Sequence, residues 1–155
     1  MAERSTLERA IQLALVAHEG QRDWNGRPFI LHPMRVGMDL LPRYGEAHAA
    51  VGVLHDSIED SEGRVTREMI EEQCGAAIAD AVQVLTHLAG VTYEDYVQVV
   101  AQDQMATRVK LADLADNIHP FRLMVQNDHQ AAVLVRHGKA LQQLRDHATK
   151  KGWLL

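Results

Sequence analysis

Helix-stopping signals recur along this chain every ten to twenty residues or so, and no segment alternates apolar and polar residues long enough to be a strand. Ser5 followed by Glu8 has capping-box spacing, and Leu7, Ala10, Ile11, Ala14, Leu15 and Ala17 or His18 continue at helical intervals as far as Gly20. Pro33 suits the first position of a second helix, where its missing N–H would be unpaired anyway, and this puts His32 at the mouth of that helix. The second helix should end near Pro42 to Gly45, and a third should run continuously over about 46–60. A fourth is expected over 66–74 with Gly75 as its stop, a fifth from 76 to about 88, and a sixth from Thr92 with Asp95. A seventh covers about 104–118 and is broken by Pro120, and a last amphipathic helix runs from Asp128 or His129 to His147. The pattern predicts an all-α fold, a compact bundle of about seven or eight short helices packed antiparallel and at angles. There is no internal repeat, low-complexity tract or Pro/Gly/Ser-rich linker, so one domain over residues 1–155 is expected.

Composition narrows the function classes. At 155 residues, with 46% hydrophobic and 24% charged residues, the chain can form a core without disulfides or a structural metal, so a bound metal would be there for function. The formal charge of −5 argues against generic nucleic-acid binding, and a phosphate ligand would have to find local positive charge. One cysteine, Cys74, allows no intramolecular disulfide. The first residues carry charges of both signs where a signal peptide would be apolar, and no apolar run is long enough to span a membrane. A reducing, cytoplasmic setting is expected. Nine histidines beside few aromatics draw attention to metal binding or proton transfer.

The stretch AAVGVLHDSIED, residues 49–60, separates into two faces on a helical wheel. Val51, Leu54 and Ile58 form a core stripe, while His55, Asp56, Glu59 and Asp60 share an arc of roughly 140°. Like charges one turn apart repel, so the patch suggests a cation or a protonation event, with a solvated acidic helix end as the alternative. A second polar stripe, Lys110, Asp113, Asp116 and Asn117, lies on the seventh helix. Asp113 could complete a site with His32, His55 and Asp56, two nitrogens and two oxygens of the kind that suits Mn²⁺, Fe²⁺ or Zn²⁺; a surface Asp–Lys pair is the alternative.

These residues carry a resemblance. AHEGQ (17–21), GRPFILHP (26–33), VLHDSIED (53–60), a segment at Thr86 and VKLADLADN (109–117), in this order, resemble the HD-domain metal-dependent phosphohydrolases. The similarity is closest to the small alarmone hydrolases and the hydrolase half of bifunctional alarmone synthetase/hydrolases, and it covers about 7–124. It implies the HD-domain fold, with His32, His55, Asp56 and Asp113 as metal ligands, Mn²⁺ as the usual ion, and Glu59 and Asp60 as the acid–base pair. It places Lys110 and Asn117 near the substrate, with Tyr93 or Tyr96 as a ribose or base contact. The reaction it implies is removal of the 3′-pyrophosphate from guanosine tetra- or pentaphosphate (ppGpp, pppGpp) by an activated water, as in the stringent response. No synthetase or regulatory domain fits in the length, so only hydrolysis is expected.

Two departures bear on the substrate. The family's Arg-Lys pair before the loop glycine is replaced by Asp23 and Trp24; Arg22 could take over with a one-residue shift, or Trp24 could stack on a base or simply pack the loop. His119 stands where the family often has Arg. Arg22, Arg27, Arg35 and Lys110 flank the expected site and supply local positive charge. The expected partner is a small-molecule nucleotide, with no nucleic acid and no membrane, and a homo-oligomer stays open. The alternatives are a nucleotidase or phosphatase acting on another phosphorylated nucleotide or cofactor, or a non-catalytic nucleotide-binding module. The other six histidines read as surface or satisfied core residues, Met34, Met38, Met69, Met105 and Met124 as core filler, Cys74 as a small buried residue, and KKGW as a solvated tail.

Overall fold

A computed structural model describes residues 3–120, 122 and 127–155. Among them nine helical segments run in the order α1 (Thr6–Ala17), α2 (Leu31–Tyr44), α3 (Glu46–Leu54), α4 (Ser57–Asp60), α5 (Arg67–Cys74), α6 (Ala76–Leu85), α7 (Tyr93–Val100), α8 (Gln104–Asn117) and α9 (Asp128–Lys150). The described residues contain no strand, only an isolated bridge between Arg22 and Pro28 that pins the loop after α1. No helix of the described residues is long and apolar enough to cross a membrane.

The sequence signals act as local chemistry predicts. Ser5 and Glu8 make both bonds of a capping box, and Thr66, Thr92, Asp103 and Asn127 each cap a helix through their side-chain oxygens. Gly45 (φ 85°) closes α2 and opens α3 in one step, and Gly75 (φ 93°) does the same between α5 and α6, a backbone region that side chains disfavour.

α3 is the hub. Every residue from Ala49 to Leu54 is buried, and the helix packs against α1, α2, α6 and α8. The sequence AAVGVL is apolar all round, as a central helix must be. Gly37 of α2 and Gly52 of α3 face each other. A Cβ on Gly52 would stand 2.7 Å from Leu40 Cδ1 and 3.3 Å from the Gly37 backbone; one on Gly37 would stand 2.5 Å from Val53 Cγ2. The two glycines let the antiparallel pair approach closely, which brings the start of α2 and the end of α3 to the same end of the bundle.

Several expectations need correction. The third helix is not continuous to residue 60. It ends at Leu54, and α4 is a separate turn, so the acidic residues do not share one helical face. The His55 ring bonds the Gly52 carbonyl at 2.7 Å, and that carbonyl is the acceptor the next helical N–H would need. α2 begins at Leu31, so Pro33 is its third residue rather than its first. α6 stops at Leu85, short of residue 88, and α9 continues past His147 to Lys150. The KKGW end is packed: the Trp153 N–H donates to Ala148 O, and Arg108 Nε donates to Trp153 O at 2.7 Å. Met38 is 67% exposed and fills no core, whereas Met34, Met69 and Met105 pack against it. Cys74 is half-buried against the core, and Met124 lies outside the described residues.

Gly52→Ala is expected to destabilise the protein by about 1–3 kcal/mol through overpacking. Gly138→Ala on α9, where a Cβ meets nothing within 4 Å, should stabilise it by up to about 1 kcal/mol. Urea unfolding of the two variants checks the contrast.

Candidate metal centre

The glycine crossing delivers His32, in the first turn of α2, and His55, just past α3, to one point. Their Nε2 atoms stand 3.2 Å apart, and both rings are 2% exposed. Asp56 Oδ2 lies 3.1 Å from His55 Nε2 and 3.6 Å from His32 Nε2. Asp113, brought in by α8, places Oδ1 3.0 Å and 3.3 Å from the same two nitrogens. Ligand atoms of His32, His55 and Asp56 all fall within 4.8 Å of one another.

Neighbouring groups fix how these side chains face inward. His55 Nδ1–H donates to Gly52 O, and His32 Nδ1 lies 2.6 Å from both Asp116 Oδ2 and Arg122 Nη1, so that both rings turn Nε2 to the centre. Asp116 is held in turn by Arg35, from Nε at 2.7 Å and Nη2 at 3.1 Å. Arg122 Nη1 donates to Asn117 Oδ1 at 2.6 Å and to Asp116 Oδ2 at 3.2 Å. Asp113 Oδ2 accepts from Lys110 Nζ at 2.8 Å, and Oδ1 accepts from Asn117 Nδ2 at 2.7 Å.

Two inward ring nitrogens and two carboxylates in one buried place require positive charge at their centre, and this donor set fits a divalent cation. The electrostatics of these side chains express the same demand. Burial opposes a charge on His55, yet Asp56 and Asp113 hold its imidazole well above the usual range. Burial alone would raise Asp113, but Lys110 and the two histidines hold it well below the usual carboxylate range. Asp56 is held down to about 2, chiefly by His55 working against burial. Asp116 is likewise lowered by its bonds to His32 and Arg35, again against burial.

The centre forms the floor of a cleft of ≈ 320 Å³. Of the residues singled out in the sequence, Arg22, Trp24, Glu59, Tyr93, Tyr96, Lys110 and Asn117 line this cleft together with His32, Asp56 and Asp113. Glu59 Oε2 accepts from the His87 backbone N–H at 2.9 Å. Trp24 is 49% exposed at the rim. Tyr96 packs its ring into the wall beneath Lys110, and its hydroxyl donates to Leu85 O at 2.6 Å, so it offers a face and not a free hydroxyl. Lys110 and Asn117 reach the cleft, but Lys110 Nζ and Asn117 Nδ2 are engaged by Asp113 and Asn117 Oδ1 by Arg122.

His55 lies buried behind the lining, and Asp60, His119, Arg27 and Arg35 do not line the cleft either. Asp60 sits on the exposed turn beside Glu59; partial burial of its carboxyl, then Asp56 and Glu59, pushes it up to about 6. His119 faces a neighbouring cavity beyond Asp116, with Arg27 and Arg35, because Ile118 ends α8 and turns the chain away.

Four residues on this wall have no role readable from their sequence context. Arg136 and His137 come from α9 and His87 from the loop after α6, and Arg122 bridges the cleft to the Asp116 cavity. His87 and His137 are neither on the surface nor plain core, although they read so from the sequence. Asp116 lay on the recognised polar stripe, and its spacing from Asp113 was the one available sign that it would back the centre.

A family model described as HD domain matches residues 10–152. A guanosine-3′,5′-bis(diphosphate) 3′-pyrophosphohydrolase of Aquifex aeolicus is 30% identical over 122 residues, covering 72% of this chain and 17% of that protein. A GTP pyrophosphokinase rsh of Brucella melitensis is 31% identical over 127 residues, covering 76% of this chain and 17% of its own length. The chain therefore spans about a sixth of the length of these relatives. Among solved structures, a metazoan ortholog of SpoT that hydrolyses ppGpp matches with a TM-score of 0.72 at 18% identity, covering 99% of both chains, and so shares the fold. A family match across nearly the whole chain, on a fold that closes two histidines and two aspartates around one point, makes this chain a member of the HD domain family.

Proposed function

We propose that the cleft is the reaction site of a metal-dependent phosphohydrolase that removes the 3′-pyrophosphate of guanosine tetra- or pentaphosphate, or of a closely related purine nucleotide. The observation that carries this is the convergence of His32, His55, Asp56 and Asp113 on the cleft floor; the names of the relatives point to the substrate. Those four residues would hold a divalent ion, for which we propose Mn²⁺. Such an ion lowers the pKa of a water and neutralises phosphoryl oxygens.

The chain's own groups do the rest. Glu59, fixed by the His87 N–H on the cleft wall, orients the attacking water. Asp60, the second member of the acid–base pair that the resemblance implies, has its carboxyl near 6 but stands outside the cleft lining, so direct proton delivery to a leaving oxygen is not assigned to it. Lys110 and Asn117 hold Asp113 in place and border the phosphate path. Arg22 and Trp24 belong to the cleft's loop side, where Trp24 offers a stacking face for a base, and Tyr93 and Tyr96 line the same cleft from α7. His119 stands outside this cleft and is given no substrate role. The same reading includes one domain and a reducing, cytoplasmic setting, in keeping with a single cysteine.

A second reading keeps the centre and changes the nucleotide. It is favoured by Asp23 in the cleft wall, whose Oδ1 accepts from the N–H groups of Asn25 and Arg27, so that a fixed carboxylate stands where the family carries a cation for the base. Nucleotide panels read for phosphate and for pyrophosphate separate the two readings.

Wild-type protein with Mn²⁺ should release pyrophosphate from guanosine tetraphosphate, and Asp56→Ala should reduce release to background. No release by wild type, or equal release by the variant, would sink the proposal. Asp116→Asn should weaken activity or metal affinity by roughly 10–100-fold through loss of His32 orientation; titrating activity against Mn²⁺ concentration reads it.

Mn²⁺ at about 100 times its dissociation constant should stabilise the fold by roughly 2.7 kcal/mol, a Tm rise of several degrees. The raised pKa of His55 in the metal-free fold contributes stability that is full below about pH 6.5 and is lost as pH rises through the folded value. Metal binding needs the neutral ring, so the Mn²⁺-dependent Tm rise should be small near pH 5.5 and larger near pH 8, by about the protons displaced. A thermal-shift series over pH, with and without Mn²⁺, checks this; a pH-independent rise would contradict it.

A further inference from the structure

Four cationic side chains line the cleft, Arg22, Lys110, Arg122 and Arg136. Lys110 and Arg122 are already paired with Asp113 and Asp116. Arg22 belongs to the exposed loop, where no contact among the described residues fixes its guanidinium. Arg136 differs from all three. Its guanidinium lies over the Tyr93 ring, 4.3 Å from the centroid, and among the described residues no carboxylate pairs with it. Stacking of this kind fixes a guanidinium's orientation while leaving its charge and its N–H groups available.

The ring beneath supplies a second, independent sign. The Tyr93 hydroxyl is buried and has no hydrogen-bond partner among the described residues, and buried hydroxyls almost always have one. Both side chains belong to the cleft wall, and neither is bonded to a residue of the metal centre. His137, next to Arg136 on α9, is pushed down to about 4 by burial, so it adds a polar neighbour without adding charge at neutral pH. An uncompensated cation and an unsatisfied hydroxyl, held together on rigid helices, are the elements of an anion subsite.

We infer that Arg136, with the Tyr93 hydroxyl, binds a second phosphate group of the nucleotide, one that is not attacked, and thereby selects nucleotides phosphorylated at two positions over those phosphorylated at one. This rests on the reading of the cleft as a nucleotide phosphohydrolase site. Arg136 acts on binding, since the chemistry occurs at the centre below.

The test compares wild type, R136Q and R136K on guanosine 3′,5′-bis(diphosphate) and on guanosine 3′-diphosphate lacking 5′ phosphates, with kcat and KM read separately. R136Q should raise KM for the doubly phosphorylated substrate by roughly ten- to a hundredfold, with kcat held within about twofold. KM for the singly phosphorylated substrate should not move, and R136K should recover part of the loss. An equal rise on both substrates would mean a merely structural role, and no rise on either would also overturn the inference. Binding of both nucleotides and of inorganic pyrophosphate is measured in parallel by thermal shift in EDTA, where no turnover is needed. A shift reduced in R136Q for the doubly phosphorylated nucleotide alone supports the subsite even if wild type hydrolyses neither compound. Unchanged nucleotide shifts, whether or not the pyrophosphate shift falls, would overturn it.

Discussion

The close approach of α2 and α3 over Gly37 and Gly52 is the constraint on which the rest depends. Small residues at a helix crossing let backbones come nearer than ordinary side chains permit, and the cost is a core with little tolerance for added volume. Because the two helices are antiparallel and joined by a single glycine, a shift at the crossing would be felt at their far ends. Those ends carry His32 and His55. Packing in the middle of the bundle therefore sets the nitrogen-to-nitrogen distance at the centre.

Charge is arranged around that centre in layers. The inner layer is rich in carboxylate, with Asp56 and Asp113 facing the two ring nitrogens. The next is rich in positive charge: Lys110 on Asp113, then Arg35 and Arg122 on Asp116. The outer cations are consumed in holding the inner acids, so a chain of net charge −5 can keep an acidic core site folded. What remains for a ligand is the pair of guanidinium groups farther out on the cleft wall.

Much of this was legible in the sequence because it is local. Caps at Ser5, Thr66 and Thr92, and the stops at Gly45 and Gly75, act within one turn, and they placed most helix ends within a few residues. The motif order brought His32, His55, Asp56 and Asp113 to attention, and the fold does bring them together. The illegible parts were tertiary. Nothing in the periodicity of residues 46–60 shows that the His55 ring takes the Gly52 carbonyl and splits the helix. His87, Arg136 and His137 carry no local signature, because only the packing of α9 on α8 and the turn of the α6–α7 loop carry them to the cleft. His119 failed to reach it for the converse reason: it is two residues past Asn117 in sequence, but beyond the end of the helix.

The bond from the His55 ring to the Gly52 carbonyl has a consequence for how the centre reports on itself. One imidazole serves as helix terminator through one nitrogen and faces the cluster with the other. Its tautomer is therefore written into the backbone, since a ring flipped, or carrying its proton on Nε2 alone, would release the carbonyl and allow α3 to extend toward Asp56. The amides of Asp56 and Ser57 are thus spectroscopic witnesses to the orientation and tautomer of the His55 ring, without any probe placed in the cleft.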